Sequence, residues 1–380
     1  MIGQATPFTG KLRRYLYRYP SKDTCCLTTV FSASVISVTG VLSRRKLPQR
    51  TRDLVQVGRG RLGEVLARAD GGFTLVTQPG PRAALPESLL ARAGTVLQPQ
   101  SLDRAELEHL VTTAPRGRTV VGVGGGVVMD NAKWLAFRTA APLVLAPSIL
   151  SVDACVTNTV AVRDGRRVSY EGFVVADQII LDVDIAQRAP ERLNRAGAGD
   201  LLSIHTALRD WATGNGKGGA RFDAAIARRA AAVLDALDEV AGGLAAVTEK
   251  ALTTVLLGYA DINDMTVECG HAQMEEGSEH YLAYYLEQLT GASFVHGEVV
   301  TLGSVIMSRL QRNDPDRAER IADHCGVAWR PAQLRLSCEL LITALTGLAD
   351  YVRETGLPAG SAADLPLDEQ AASELIAGLL

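Results

Sequence analysis

Two of the six histidines in this 380-residue chain lie close together in the segment GSEHYLAYYLEQLTGASFVHGE, residues 277–298. His280 and His296 each have a glutamate nearby. Imidazole and carboxylate groups are common ligands of Zn²⁺ and related ions. Helical histidines also occur as ordinary core residues, so this segment alone leaves a metal site and a structural role both open. A metal site would need a third ligand and a cofactor site elsewhere in the chain.

A glycine-rich segment, GVGGGVVMDNAK at residues 122–133, lies between a predicted strand and a predicted helix. Glycines let the backbone approach a phosphate closely, and the helix that follows offers free N–H groups. The segment lacks the usual GxGxxG spacing and follows about the fourth strand, so phosphate binding and simple packing both remain open. Asp130 and Lys133, one turn apart, are interpreted as a surface pair.

Composition excludes some classes of function. The 39 basic and 42 acidic residues nearly cancel, which argues against a nucleic-acid partner. Six cysteines without a CxxC pair are typical of reduced thiols in a cytoplasmic protein. With 47% hydrophobic residues and this length, the chain is expected to form two domains.

Short apolar runs alternate with helical patterns from about residue 53 to residue 183. This alternation predicts βαβ units and a parallel, Rossmann-like sheet covered on both faces. Within it, the Asp164-Gly165 turn between alternating segments predicts a β-hairpin. After about residue 185 the spacing becomes helical throughout. We therefore predict an α/β nucleotide-binding domain at residues 46–184 and an all-α domain at residues 185–380.

The first 45 residues form a separate, predicted extension. Their apolar run, LTTVFSASVISVTGVL, has 16 residues, fewer than the roughly 20 that a membrane helix needs. It also begins too late for an ordinary signal peptide. We expect a poorly ordered or loosely docked segment and no membrane span, with a mis-assigned start codon as the alternative.

Several motifs together resemble one family. KLPQRTRDLVQVGRGRLGEVL, GGGVVMDNAK, PSILSVD, GAGDLLSIHTALRDW, GSEH and VHGE follow the order found in the superfamily of dehydroquinate synthase and iron-containing alcohol dehydrogenases. The resemblance covers about residues 46–320 and is strongest to sn-glycerol-1-phosphate dehydrogenases. It implies a dehydroquinate synthase-like fold, with the active site in a cleft between the α/β and helical domains.

The resemblance also implies a ligand set and a cofactor. Asp200 of GAGD would join His280 and His296 around one divalent metal, with zinc expected and iron or nickel as alternatives. Such a metal would act as a Lewis acid on a substrate oxygen. Asp153 of PSILSVD would contact the substrate. A nicotinamide dinucleotide would be held by residues of the glycine loop and of the segments that follow the later strands: Gly124, Gly125, Gly126, Val127, Val128, Ser148, Ser151 and Thr157.

Three positions depart from the family pattern. Tyr284 stands where the family has a substrate-contacting histidine one helical turn after the metal ligand. Either the substrate differs from dihydroxyacetone phosphate or its phosphate is held elsewhere, and a core-packing role for Tyr284 also stays open. Gln78 replaces an aspartate at the end of the second strand, with Arg82 nearby, which favours NADPH slightly over NADH. His205 stands in place of a common lysine, and both a proton-transfer role and a buried structural role remain open for it.

These features predict a metal-dependent, NAD(P)-linked alcohol dehydrogenase, similar to glycerol-1-phosphate dehydrogenase, that reduces the ketone or aldehyde group of a small polar substrate with or without a phosphate. The first alternative is a dehydroquinate synthase-like lyase that uses NAD transiently. GAGDLLS, with Asp200 and Ser203 where lyases carry Glu and Lys, argues against that alternative. The second alternative is a non-catalytic relative. A cytoplasmic homo-oligomer is expected.

Overall fold

The structure, a computed structural model, describes residues 50–67, 72–165, 167–217, 219–364 and 367–379. The predicted extension at residues 1–45 lies outside these described residues. In the described part, strands occur up to Asp182, and the elements that follow are helices.

The strands coincide closely with the apolar runs of the first half. They span Val55–Gly58 (β1), Phe73–Thr77 (β2), Ala93–Leu97 (β3), Thr119–Gly124 (β4), Leu143–Pro147 (β5), Val160–Asp164 (β6), Arg167–Glu171 (β7) and Gln178–Asp182 (β8). Six of them form a parallel sheet in the order β1-β8-β5-β4-β2-β3. The predicted parallel sheet is therefore confirmed.

The strand order contains a switch point. After β2 the chain moves outward to β3, and it then returns to place β4 on the other side of β2. Connections that leave two neighbouring strands in opposite directions open a crevice at their carboxyl ends, where α/β sheets bind ligands. The glycine-rich turn follows β4 and Gln78 follows β2, so both lie at this crevice.

The predicted hairpin is present as a separate two-stranded antiparallel sheet formed by β6 and β7. Its turn contains Gly165 at φ 62°, a left-handed conformation that glycine adopts without a Cβ penalty. The segment after β2 differs from its expectation. QPGPR was predicted as a turn, but Pro79–Ala83 forms a short helix with proline in its first turn, a position that tolerates the missing N–H.

The helices cover the sheet and build the second half of the chain. They span Arg61–Ala67 (α1), Pro79–Ala83 (α2), Glu87–Leu90 (α3), Arg104–Thr113 (α4), Gly126–Thr139 (α5), Val183–Arg188 (α6), Glu191–Arg195 (α7), Ala198–Gly214 (α8), Ala224–Ala245 (α9), Glu249–Cys269 (α10), Ser278–Thr290 (α11), His296–Gln311 (α12), Pro315–His324 (α13), Pro331–Leu334 (α14), Cys338–Thr355 (α15), Ser361–Asp364 (α16) and Glu369–Ile376 (α17).

Alternate strand residues enter different cores, as the two-residue period of a strand requires. Val121 and Val123 pack with α1 on one face of the sheet. Leu143 and Leu145 point to the other face and belong to a cluster that continues through α8, α10 and α12. One core thus joins this face of the sheet to the helical half. The proposed domain boundary near residue 185 stays a prediction.

None of the described helices has the length and apolar character needed to cross a membrane.

Candidate functional site

Three potential metal ligands from separate helices converge at one point. Asp200 lies in the first turn of α8, His280 in the first turn of α11, and His296 begins α12. Each offers a ligand atom, and these atoms all lie within 4.8 Å of one another. His296 Nε2 lies 3.4 Å from Asp200 Oδ1. Asp200 and His280 are buried, whereas the His296 side chain is 31% exposed, so access to the cluster is from the His296 side.

Glycines beside the ligands let the helices approach this closely. A Cβ atom at Gly199 would lie 2.1 Å from the carbonyl oxygen of Gly297, so α8 and α12 touch through their backbones. A Cβ atom at Gly303 would lie 2.5 Å from the carbonyl oxygen of Glu279, so α12 and α11 also meet without intervening side chains. A side chain at either glycine would separate the helices and hence the ligands they carry.

His280 is oriented by the glutamate that precedes it. Its Nδ1 lies 3.0 Å from Glu279 Oε1, which leaves Nε2 for a metal. The carboxylate is itself held, because Thr206 Oγ1 and the backbone N–H of Gly277 both donate to it. Burial alone would lower the pKa of His280, but the hydrogen bond and charge of Glu279 outweigh burial and raise that pKa to about 9.

Glu298, the glutamate near His296, forms an ion pair with an arginine instead of a hydrogen bond with the imidazole. Glu298 is buried and pairs with Arg192, with Oε1 2.5 Å from Nε. This pair fastens the first turn of α12 to α7. His296 lies against Asp200 instead, and burial followed by the charge of His280 lowers the pKa of His296 to about 4.

The donor set fits a divalent metal ion. Asp200 Oδ2 accepts a hydrogen bond from the backbone N–H of Asp153, whereas Oδ1 is buried without a hydrogen-bond partner. Burial raises the pKa of Asp200 to about 6, against the opposing charge of His280. A buried carboxylate oxygen without a partner is costly, and a cation shared with the two imidazoles would satisfy it.

The glycine-rich turn is shaped by close contacts. Gly124 ends β4, Gly125 precedes α5 and Gly126 begins it. A Cβ atom at Gly125 would lie 2.7 Å from Ile149 Cδ1, and one at Gly126 would lie 2.9 Å from Val152 Cγ1. The bare backbone and the free N–H groups of the first helical turn, including those of Val127 and Val128, form a cradle suited to a pyrophosphate.

The other predicted cofactor residues surround this cradle. Ser148 follows β5, is buried, and donates its backbone N–H to Gly124 O at 2.9 Å. Ser151 is half-buried three residues later. Gln78 lies at the neighbouring strand end, since Thr77 pairs with Val123, and its side chain donates to Pro99 O at 3.2 Å. The structure thus places Gln78 at the crevice between β2 and β4, and Ser148 at the adjoining end of β5.

Asp130 and Lys133 do not form the surface pair that was expected. Both are buried, with Lys133 Nζ 2.7 Å from Asp130 Oδ1. The ammonium group also donates to Thr157 Oγ1 at 2.9 Å and to Thr159 O at 2.6 Å. Asp130 Oδ2 accepts the backbone N–H of Ala161. The pair ties α5 to the segment that precedes the hairpin, and the hydroxyl of Thr157 is already engaged there.

The remaining predicted residues divide into two groups. Asp153 and Tyr284 lie beside the metal ligands, because Asp153 N–H bonds Asp200 and the Tyr284 ring centroid is 6.1 Å from that of His280. His205 does not join them. Its Nε2 lies 2.6 Å from the carbonyl oxygen of Asn313, beyond the carboxyl end of α12. His296 begins this helix, which is roughly 24 Å long at 1.5 Å per residue. The position of His205 does not support a proton-transfer role.

Sequence reasoning missed two acidic residues beside the ligands. Glu276 is half-buried and accepts a hydrogen bond from Tyr284 at 2.8 Å. Glu275 is buried, and burial followed by the charges of Asp153 and Asp200 raises its pKa well above the usual range. The Glu-Glu pair directly before GSEH was the available signal.

Comparison with known proteins identifies relatives of this architecture. A family model described as iron-containing alcohol dehydrogenase matches residues 82–190. The glycerol-1-phosphate dehydrogenase of Pyrobaculum neutrophilum is 30% identical over 60% of this chain and 68% of its own. That of Hyperthermus butylicus is 30% identical over 60% of this chain and 65% of its own, so the chain spans just under two thirds of that relative.

Solved structures agree on the fold. A glycerol dehydrogenase from Schizosaccharomyces pombe aligns with TM-score 0.64 and 19% identity, covering 86% of this chain and 88% of its own. A probable glycerol dehydrogenase from Sinorhizobium meliloti aligns with TM-score 0.63 and 21% identity, covering 86% and 95%. With these relatives and this fold, the chain belongs to the glycerol-1-phosphate dehydrogenase family of iron-containing alcohol dehydrogenases.

Proposed function

We propose that the protein is a metal-dependent, NAD(P)-linked dehydrogenase that interconverts an alcohol and a carbonyl group on a small polar substrate. One observation carries the proposal: a single segment touches both halves of the site. Ile149 and Val152 pack against the glycines of the cradle, and the N–H of Asp153 bonds the carboxylate of Asp200. A nucleotide held by the cradle and a cation held by Asp200 would therefore be neighbours.

A bound metal ion and coenzyme would supply two kinds of chemistry. A divalent cation polarises a substrate oxygen as a Lewis acid, and the nicotinamide ring exchanges hydride with the substrate carbon. Asp200, His280 and His296 would hold the cation. Two imidazoles and a carboxylate suit zinc best, and iron or nickel are alternatives within the same donor set.

The chain itself would position the substrate and handle its proton. Asp153 stands beside Asp200, where its carboxyl can accept a hydrogen bond from a substrate hydroxyl. Burial, followed by the charge of Asp200, raises the pKa of Asp153 to about 7. A carboxyl group with that pKa can both take and return a proton near neutral pH. We assign this role to Asp153 in preference to His205.

Coenzyme choice depends on the end of β2. A carboxylate at this position would repel the 2′-phosphate of NADP, and the chain has the neutral Gln78. This substitution supports NADPH as the coenzyme. A homo-oligomeric state and a cytoplasmic location stay predictions from the sequence.

The lyase alternative has little structural support. By the resemblance stated above, Ser203 occupies the position at which the related lyases carry a lysine. It is fully buried, and its hydroxyl donates to the carbonyl oxygens of Asp200 and Glu275, each at 2.6 Å. It has no charge to bind a substrate phosphate and no free hydroxyl to offer.

The proposal is tested by binding and then by turnover. Elemental analysis of the purified protein should find about one divalent ion per chain, as expected for a single three-ligand site. NADPH should raise the melting temperature more than NADH, because a ligand of the native state stabilises it by mass action. Ketone reduction is then followed by loss of NADPH absorbance, with dihydroxyacetone phosphate as the first substrate. A protein that binds neither a metal nor either nucleotide is not a dehydrogenase.

A further inference from the structure

More carboxyl groups lie around the ligand cluster than its three ligands account for. Besides Asp200, the carboxyl groups of Asp153, Glu275 and Glu276 act on the pKa values of their neighbours there. Within the described part of the chain, neither Glu275 nor Glu276 forms an ion pair with Lys, Arg or His. The nearby cations are engaged with other acids: Lys133 pairs with Asp130, and Arg163 faces Glu287 at 3.6 Å.

Glu276 and Tyr284 form one wall of the site. Tyr284 follows His280 by four residues, so both side chains lie on the same face of α11. The phenol of Tyr284 donates to Glu276 Oε1 at 2.8 Å, and a further hydrogen bond joins it to Tyr170 of the hairpin. The charge of Glu276 reaches all three ligands, since it raises the pKa values of Asp200, His280 and His296. This wall therefore presents a carboxylate and two aromatic rings.

Glu275 adds a buried carboxyl oxygen with no partner. The residue is 8% exposed, and Oε1 has no hydrogen bond among the described residues. Ser203 Oγ bonds the carbonyl oxygens of both Glu275 and Asp200, which places the two backbones side by side. Burial, followed by the charges of Asp153, Asp200, Glu276 and Glu279, raises the pKa of Glu275, so this carboxyl group lies close to the other acids of the site. A carboxyl group that served only packing would be expected to have a donor.

This wall is suited to a cation. An ammonium group offers three N–H donors, carboxylates accept them, and phenol rings attract a cation through their faces. The ionised carboxylate of Glu276 would repel a phosphate ester placed against this wall. We infer that the substrate carries an ammonium group close to its reacting hydroxyl, recognised by Glu276 and Tyr284 with Glu275 behind them. The inference rests on the proposed dehydrogenase function and departs from the phosphate ester named for the relatives.

Three probes that differ at one end of a glycerol unit test this inference: 3-amino-1,2-propanediol, glycerol and glycerol 1-phosphate. Their binding to the metal-loaded protein is measured by calorimetry in the presence of NADPH, the reduced coenzyme, which cannot oxidise these alcohols, so no turnover occurs. We expect the amino compound to bind about tenfold more tightly than glycerol, as one charge-assisted hydrogen bond allows, and the phosphate to bind most weakly. Tighter binding of the phosphate, or equal binding of all three, would overturn the inference.

Neutral variants locate the selectivity. Glu276→Gln keeps the size of the side chain and should reduce binding of the amino compound about tenfold while leaving glycerol nearly unchanged. Glu275→Gln should cause a smaller loss. Glu268→Gln, which removes an exposed partner of Arg229, is the matched control and should preserve the order of the probes. A Glu276→Gln variant that weakens all three probes equally would show that Glu276 has a structural role and would overturn the inference.

Different results would contradict the dehydrogenase assignment and the substrate inference. Absence of both metal and nucleotide binding would remove the dehydrogenase assignment. Normal binding of metal and nucleotide, with no preference for the amino compound, would remove the substrate inference alone.

Discussion

The glycine-rich turn and the metal-ligand cluster are built in opposite ways along the chain. The turn is continuous in sequence, from Gly124 at the end of β4 into the first turn of α5. The ligand cluster takes Asp200, His280 and His296 from three helices separated by up to 96 residues of chain. A turn of the first kind needs a strand, a helix and small residues. A cluster of the second kind needs the whole helical half to pack correctly, so we expect the two regions to fail independently when their own residues are changed.

The largest expected effect is loss of the metal. His296→Ala should release the ion and reduce turnover by about a thousandfold or more, because a Lewis acid contributes several kcal/mol to carbonyl polarisation. NADPH should still bind to the cradle. Metal content and nucleotide affinity are measured on the same sample.

His205→Ala is the matched control for this change. The side chain of His205 bonds the carbonyl oxygen of Asn313 and lies away from the ligand cluster. The variant should therefore keep its metal. Retention of the ion in His296→Ala, or its loss in His205→Ala, would contradict the ligand set.

The second effect concerns the buried pair that ties α5, the helix of the glycine-rich turn, to the segment around Thr157. Lys133→Met leaves Asp130 buried without its cation, and removal of one partner of a buried pair costs about 3–5 kcal/mol. Urea denaturation measures the loss. The double variant Asp130→Asn with Lys133→Met should recover part of it, since no unpaired charge remains.

Asp350 and Arg353 form a pair with the same spacing but are 70% and 66% exposed, so Arg353→Met should cost less than about 1 kcal/mol. Equal losses in the two single variants would show that burial does not decide the effect.

The contrast between these two pairs also shows what the sequence could and could not reveal. An acid and a base three residues apart look the same on a buried helix and on an exposed one. Every residue of α5 from Val128 to Ala136 is buried, because the helix is covered on several sides. That covering comes from the hairpin and from the segment around Thr157, which are distant in sequence. Spacing alone therefore predicted a surface pair.

Local patterns were more informative in the α/β half. The strands coincide with apolar runs because parallel strands are buried on both faces. The hairpin followed from Asp164-Gly165, where the left-handed turn conformation suits glycine. The ligand cluster could not be obtained in this way. The sequence around a histidine does not show which residue of another helix will share a metal with it. Asp200 was identified from the family resemblance and not from its spacing. The roles of these residues stay predictions until the metal is measured.

A third, smaller effect is a pH dependence of the metal-free protein. The pKa of His280 is raised to about 9 from its ordinary 6.5. A raised pKa stabilises the folded state fully below pH 6.5, and this contribution is lost as the pH rises through about 9. The slope is at most about 1.4 kcal/mol per pH unit for one proton. Thermal unfolding of the chelated protein between these pH values measures the loss, and Glu279→Gln should flatten it. An equally steep slope in that variant would assign the proton to another group.

The smallest effect is a change at the cradle that leaves the metal in place. Gly125 has φ −97° and ψ −165°, a conformation open to any residue, so Gly125→Ala brings no backbone strain. Its Cβ atom would instead lie 2.7 Å from Ile149 Cδ1, so Ile149 or the turn that presents the backbone N–H groups must shift. We expect NADPH affinity to fall about tenfold, the loss of roughly one good hydrogen bond, with metal content unchanged.

Gly242→Ala in α9 meets no atom within 4 Å and is the matched control, which should bind NADPH normally. If Gly125→Ala also released the metal, the two regions would form a single cooperative site, and the contrast between a local turn and a dispersed ligand cluster would no longer hold.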